Sequence, residues 1–215
     1  MDAEFWLDKW QHNQIGFHKS EANPLLVKHI DTLELDEGVR IFLPLCGKTL
    51  DIGWLIDQGF RIVGAELSEL AIEQLFTQLA LEPVITEFDN FRLYSADNID
   101  IFVGDIFDLT RDMIGQVDAV FDRAALVALP EDMRKTYTKH LIDITSCAPQ
   151  LLLTFEYGVA DVAGPPHSIP QDEVVAHYGS HYHLQTLELF DIGGGFRGAS
   201  QAIEHVWLLT PRQEK

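Results

Sequence analysis

Residues 39–66 read VRIFLPLCGKTLDIGWLIDQGFRIVGAE, and this stretch decides the fold class. Residues 39–44 form an apolar run of strand length, which is followed by a short turn and by a helical pattern over about residues 49–58. Gly59 ends the helix, and a second apolar run occupies residues 60–66. A strand, a helix and a strand in this order predict a βαβ unit with two parallel strands.

The same alternation continues through the rest of the chain. Further strands are predicted at residues 99–103, 117–121, 150–156, 184–190 and 202–209, and further helices at 68–79, 130–145 and 171–178. Residues 82–97 are predicted as an irregular connection, and the glycine- and proline-rich residues 157–170 as a loop over a site. The Gly193-Gly194-Gly195 link is too short for a parallel crossover, so the last strand is predicted to run antiparallel.

The prediction is therefore a single α/β domain over residues 1–215. Its core, residues 39–215, is a doubly wound, mostly parallel sheet of seven strands with an antiparallel last strand. Residues 1–38 differ in character, because two helical patterns, 5–10 and 25–33, are separated by a polar, irregular stretch. These residues are predicted to form a helical cover over the core.

The cover is rich in aromatic residues, namely Phe5, Trp6, Trp10 and Phe17. Aromatic faces stabilise cations, and a sulfonium is such a cation. The alternative is ordinary aromatic packing, which is expected to explain at least half of these side chains.

The charge balance narrows the class of partners. The chain has 15 Lys and Arg against 34 Asp and Glu, a formal net charge of -19, so its field repels the phosphates of nucleic acids. No apolar stretch is long enough to span a membrane, and residues 1–10 lack the basic start and apolar block of a signal peptide. We expect a cytoplasmic protein in which Cys46 and Cys147 stay reduced.

In a doubly wound sheet, ligands lie at the carboxyl ends of the strands. Glu66 ends the second strand 20 residues after Cys46, where an acidic side chain can accept hydrogen bonds from the hydroxyls of an adenosine ribose. The alternative is a solvated carboxylate at a strand end. A dinucleotide site needs a Gly-x-Gly-x-x-Gly turn, whereas the turn after the first strand offers only Gly47. The single glycine therefore argues against a nicotinamide dinucleotide as the cofactor and favours a methyl donor.

Asp105 follows the third predicted strand. Its carboxylate could accept from an adenine amino group, with Ile106 against the ring, or it could cap the next turn. His177, His181 and His183 lie close in sequence, but Gly179 interrupts their spacing and no metal site is predicted.

Four stretches of the chain resemble the thiopurine S-methyltransferase family. They are residues 6–18, FLPLCGK at 42–48, GAELS at 64–68 and FDRAALVA at 121–128. Together they extend the resemblance over nearly the whole chain. Ala124 departs from the motif, since its position is often glycine.

The resemblance implies a set of site residues. S-Adenosylmethionine would contact Trp10, Leu45, Glu66 and Arg123, with Asp105 and Ile106 beside the adenine, while Phe17 would face the acceptor. Trp6 is an equally aromatic neighbour, and the sequence leaves open which tryptophan closes over the donor.

The implied activity is methyl transfer from S-adenosylmethionine to the sulfur of a thiopurine or another small thiol, or to selenium or tellurium. We expect a monomer that acts on a small molecule, without nucleic-acid or membrane partners. The alternatives are a halide or thiol methyltransferase, a nicotinamide-dependent oxidoreductase and a non-catalytic binding module. The physiological acceptor stays open.

Overall fold

A computed structural model of the chain describes residues 3–88, 90–158, 164–192, 199 and 201–213. The chain divides into two compact units, Met1–Asp118 and Ala119–Lys215. The single domain expected from the sequence stays a prediction.

Where the structure describes it, the first unit contains five strands and five α-helices. The strands are β1 (Arg40–Pro44), β2 (Arg61–Glu66), β3 (Val84–Phe88), β4 (Phe91–Ala96) and β5 (Ile99–Val103), in the lateral order β3-β4-β5-β2-β1. The helices are α1 (Ala3–Gln11), α2 (Pro24–His29), α3 (Asp51–Asp57), α4 (Glu69–Gln78) and the short α5 (Arg111–Ile114). Strand β2 is parallel to both β1 and β5, which confirms the predicted βαβ unit.

Local signals in the sequence set the helix boundaries. Ser68 is the N-cap of α4, where its hydroxyl accepts a hydrogen bond from the Ala71 N–H at 3.3 Å. Asn23 caps α2 in the same way and is followed by a proline at the first helical position. The second cover helix is shorter than predicted, because its last turn, Ile30–Leu33, tightens into a 3₁₀ helix.

The count of seven strands was wrong, because the described residues contain nine. The irregular connection predicted at residues 82–97 is an antiparallel hairpin, formed by β3 and β4. All five residues of β3 are exposed at the edge of the sheet. Val84, Ile85 and Phe88 are apolar, but they form neither a run of strand length nor a strict alternation with polar residues, and these are the patterns by which strands are recognised.

Among its described residues, the second unit contains four strands and two α-helices. The strands are β6 (Ala119–Arg123), β7 (Gln150–Tyr157), β8 (Tyr182–Asp191) and β9 (Ala202–Pro211), and the helices are α6 (Glu131–Ile144) and α7 (Gln171–Tyr178). Strand β6 is parallel to β7, whereas β9 pairs antiparallel with both β7 and β8. The antiparallel last strand is thus confirmed, while the Gly193–Gly195 link lies outside the described residues.

Of the loop predicted at residues 157–170, Tyr157 belongs to β7, residues 158 and 164–170 contain neither helix nor strand, and residues 159–163 lie outside the described residues. Within the described ranges, every helix is too short or too polar to cross a bilayer.

Candidate functional site

Three parallel strands of the first unit end at one edge of the sheet. Pro44 of β1 lies opposite Ala65, and Glu66 of β2 lies opposite Val103 of β5. The Gly104 N–H donates to the Glu66 carbonyl at 2.9 Å, which joins the chain segments that leave β2 and β5. The turn after β1, the Glu66 side chain and the start of the segment after β5 therefore meet at this edge, as the sequence predicts.

Glu66 is the central side chain of the edge. It is only 6% exposed, and its two carboxylate oxygens accept hydrogen bonds from the backbone N–H groups of Gly47, at 2.8 Å, and Ser68, at 2.9 Å. Burial raises the pKa of Glu66, and the hydrogen bonds from Ser68 and Gly47 oppose that rise. Each oxygen of a carboxylate can accept two hydrogen bonds, so the backbone contacts leave acceptor capacity for a ligand.

The turn after β1 has an unusual backbone. Leu45 and Gly47 both have positive φ, 46° and 54° respectively. A Cβ atom at Gly47 would lie 2.9 Å from an indole carbon of Trp10, which is too close for any other residue. Gly47 therefore allows both the left-handed turn and the close approach of the Trp10 ring.

Trp10 connects helix α1 to this turn. The side chain is 5% exposed, whereas Trp6 on the same helix is half-buried. The Phe17 ring packs edge-on against both indoles, with centroid distances of 5.5 Å to Trp10 and 5.8 Å to Trp6. Trp10 is thus the tryptophan that lies against the candidate site in this structure, and Phe17 lies beside it.

A buried aspartate ties the end of the cover to the core of the first unit. The Asn23 N–H donates to one oxygen of Asp51 at 2.6 Å, and the Thr49 hydroxyl donates to the other at 2.8 Å. Nothing in the sequence singles out Asp51, because an acidic residue in the first turn of a helix is common on electrostatic grounds alone.

Asp105 and Ile106 stand at the end of β5. The Asp105 carboxylate accepts from the Phe107 N–H at 3.0 Å and caps the 3₁₀ helix Ile106–Asp108, so the capping alternative holds in this structure. Asp105 is exposed at the same edge as Glu66, and Ile106 is buried. Capping through one oxygen leaves the carboxylate able to accept from a ligand.

Arg123 belongs to the second unit, where it is the last residue of β6 and is half-buried. It stands between the buried Asp122 and Ala124, which has a φ of 67°. The left-handed conformation explains why glycine suits this position of the motif.

The histidines near α7 belong to no cluster of three or more metal-ligating side chains among the described residues. His177 interacts with Glu173 at 3.1 Å, and in the part of the chain that the structure describes, nowhere do three or more His, Cys, Asp or Glu side chains form a metal-binding group.

Comparison with known proteins gives consistent results in sequence and in fold. The family model described as thiopurine S-methyltransferase matches residues 1–211. A thiopurine S-methyltransferase of Xanthobacter autotrophicus is 50% identical over 210 residues, which cover 97% of this chain and 99% of the relative. A thiopurine S-methyltransferase of Teredinibacter turnerae is 49% identical over 210 residues, which cover 98% of this chain and 98% of the relative.

Solved structures agree at the level of the fold. The 1,6-didemethyltoxoflavin-N1-methyltransferase of Burkholderia thailandensis, with bound 1,6-didemethyltoxoflavin and S-adenosylhomocysteine, superposes with a TM-score of 0.65 at 12% identity. The superposition covers 97% of this chain and 87% of that one. A TehB-like methyltransferase of Corynebacterium glutamicum gives a TM-score of 0.59 at 14% identity, with 98% of both chains covered. Fold and sequence therefore agree, and the chain belongs to the thiopurine S-methyltransferase family.

Proposed function

We propose that the chain transfers the methyl group of S-adenosylmethionine to the sulfur of a thiopurine or of another small thiol. The observation that carries the proposal is the shared edge of β1, β2 and β5, where a left-handed turn and a buried carboxylate meet. The full-length identity to proteins named thiopurine S-methyltransferase supports it.

The residues at the edge suit an adenosyl donor. Glu66 keeps acceptor capacity for the ribose hydroxyls, and its carboxylate is held rigidly by Gly47 and Ser68. Ile106, which is buried next to Asp105, would border the adenine, and Asp105 offers an acceptor for the amino group.

Three further groups are assigned to the proposed donor site. The Leu45 turn would lie against the amino-acid tail and Trp10 against the sulfonium, which an aromatic face stabilises. Arg123 is assigned to the donor on the resemblance of the FDRAALVA motif, and a guanidinium suits a carboxylate such as that of the methionine tail.

The bound donor supplies an electrophilic methyl group, which a sulfur nucleophile attacks in line. The chain contributes position, because the two reactants must be held close together and aligned, which can lower the barrier by about 7–11 kcal/mol. Phe17, beside Trp10, would face the acceptor, and the aromatic cover would exclude water from the reacting atoms. A thiol or thione needs little help from a base, so positioning is the main task.

Cofactor binding tests the proposal against the nicotinamide alternative. Calorimetry should find S-adenosylmethionine or S-adenosylhomocysteine bound in the micromolar range and no heat with nicotinamide dinucleotides. Tight binding of a dinucleotide would contradict a methyltransferase.

The acceptor is tested by turnover with labelled donor across a panel of thiols, thiopurines, selenite and halides. Transfer to the sulfur compounds is the expected result. Transfer to halides alone would favour a halide methyltransferase instead.

We also expect a cytoplasmic monomer, and sedimentation at the mass of one 24.3 kDa chain would support the monomer.

A further inference from the structure

The residue that precedes Arg123 is a buried carboxylate. Asp122 is fully buried in the second unit, although it carries an ionisable group. Successive residues of a strand point to opposite faces of the sheet, so the Asp122 side chain points away from the face to which β6 directs Arg123. Asp122 is thus placed to act on the backbone that carries Arg123 rather than on a ligand.

The Asp122 carboxylate joins three elements of the unit. One oxygen accepts a hydrogen bond from the Leu126 N–H at 3.1 Å, at the start of the 3₁₀ turn Leu126–Ala128. The other oxygen accepts from the Tyr137 hydroxyl at 2.7 Å, and Tyr137 lies fully buried on α6. Strand β6, the turn that follows it and helix α6 are therefore held together at a single side chain.

The turn needs such a restraint. Ala124 lies between Arg123 and the hydrogen-bonded Leu126, and its φ of 67° is left-handed. A left-handed conformation is sterically strained for a residue with a Cβ, which lies too close to the following carbonyl oxygen. Strained backbone persists only where the surrounding structure holds it, and the two bonds of Asp122 hold this turn from both sides.

Helix α6 is itself a rigid support for Tyr137. The buried Arg134 donates to the Glu173 carboxylate on α7, at 3.0 Å from one guanidinium nitrogen, and to the Leu129 carbonyl at 3.0 Å. The phenol is therefore presented from a fixed element, which is what precise positioning of a functional residue requires.

We propose that Asp122 and Tyr137 are positioning residues, which fix the strained turn and thereby the orientation of Arg123 toward the methyl donor. Neither residue touches the donor. The inference rests on the proposed function, because it takes Arg123 to be a donor contact.

A matched pair of phenylalanine variants tests the inference. Tyr137→Phe removes the hydroxyl that donates to Asp122. Tyr182→Phe removes a hydroxyl of the same buried type in the same unit, which donates to the Ala148 carbonyl at 3.1 Å and accepts from the Gln150 side chain at 2.9 Å. Tyr137→Phe should weaken S-adenosylhomocysteine binding by about threefold to tenfold, the equivalent of one lost hydrogen bond, while Tyr182→Phe leaves it unchanged. Both should remain folded with similar losses of thermal stability.

A double-mutant cycle with Arg123→Ala separates positioning from general destabilisation. If Tyr137 acts through Arg123, Tyr137→Phe should change binding by less than about 1.5-fold once Arg123 is gone, since coupled residues are not additive. The loss of stability should persist in the double variant. Equal effects of Tyr137→Phe with and without Arg123 would overturn the inference, as would equal effects of the two phenylalanine variants on binding.

The Asp122 variants supply a rescue. Asp122→Asn keeps an oxygen for the Leu126 N–H and an amide for the Tyr137 oxygen, so it should bind S-adenosylhomocysteine within about threefold of wild type, whereas Asp122→Ala should not. Equal binding by Asp122→Ala and wild type would also overturn the inference.

The proposed function and the inference can fail separately. If the wild-type protein binds no donor, both the proposed function and the inference are contradicted. Donor binding that survives Arg123→Ala unchanged would end the inference alone.

Discussion

The Glu66 side chain has one structural role and one proposed binding role, so its replacement should have two effects. Its carboxylate shapes the turn after β1 through Gly47, and the same carboxylate is proposed to accept from the donor ribose. A variant should therefore lose ligand affinity and some stability at once. The two losses can be measured separately.

Glu66→Ala should weaken S-adenosylhomocysteine affinity by about 1.5–3 kcal/mol, the range for hydrogen bonds to a charged group. Titration calorimetry measures the affinity, and urea denaturation measures the accompanying loss of stability. Glu73→Ala is the matched control, because this exposed carboxylate on α4 has no part in the proposed donor site and should leave affinity unchanged. Unchanged affinity in folded Glu66→Ala would remove Glu66 from the site.

The buried charge of Asp122 predicts a dependence of stability on pH. Burial raises the pKa of Asp122 from its ordinary 3.8 to about 6, although the bonds from Tyr137 and Leu126 lower it. The folded chain then binds this proton more tightly than the unfolded chain, so the contribution of Asp122 to stability is full below about pH 4 and falls as pH rises to about 6.

Asp122→Asn lacks this titration. Its free energy of unfolding, relative to wild type, should rise between pH 4 and pH 6 by up to about 3 kcal/mol and stay level above that. Urea denaturation at several pH values measures the difference. Parallel curves for the two proteins over this range would show that Asp122 does not titrate as described.

At the scale of elements, α1 and the turn after β1 depend on each other through Trp10 and Gly47. Gly47→Ala would place a Cβ 2.9 Å from the indole and would strain a φ of 54°. We expect a loss of about 1–3 kcal/mol in stability and weaker donor binding, because the indole must move. Gly16→Ala is the matched control, since a Cβ there meets no atom within 4 Å. Denaturation and calorimetry of both variants check this, and equal behaviour of the two would contradict the contact.

The cover is a second testable element. Trp10 is already buried against Gly47, and Asn23 is anchored at Asp51, yet the connecting residues 12–22 contain neither helix nor strand. We predict that α1 opens and closes around a hinge in these residues. Amide exchange in α1 should slow when S-adenosylhomocysteine binds, and deletion of residues 1–17 should abolish turnover in a folded core. Exchange that is slow without ligand and does not change would indicate a static helix.

At the scale of the whole molecule, the elements that could be predicted from the sequence are those whose burial requires a pattern of apolar residues. The seven predicted strands all exist, because each leaves an apolar run or an alternation, and the edge at Glu66 follows from parallel strands ending together. The hairpin of β3 and β4 was missed because β3 buries none of its residues.

Tertiary partners could not be predicted in the same way. The bond from Tyr137 to Asp122 and the bond from Asn23 to Asp51 join residues 15 and 28 positions apart, and neither pair has a local signature. The positions of Trp6 and Trp10 also needed the structure. Both lie on one short helix, but Trp10 is buried against Gly47 whereas Trp6 is half-buried.

Methyl transfer itself is the central claim, and one measurement tests it directly. The purified chain is incubated with S-adenosylmethionine labelled in its methyl group and with a thiopurine, and the products are separated and identified by mass spectrometry. The account predicts labelled S-methylthiopurine and one equivalent of S-adenosylhomocysteine, with strongly reduced turnover by Glu66→Ala. Donor that binds but transfers no label to any sulfur, selenium or tellurium acceptor would contradict the account.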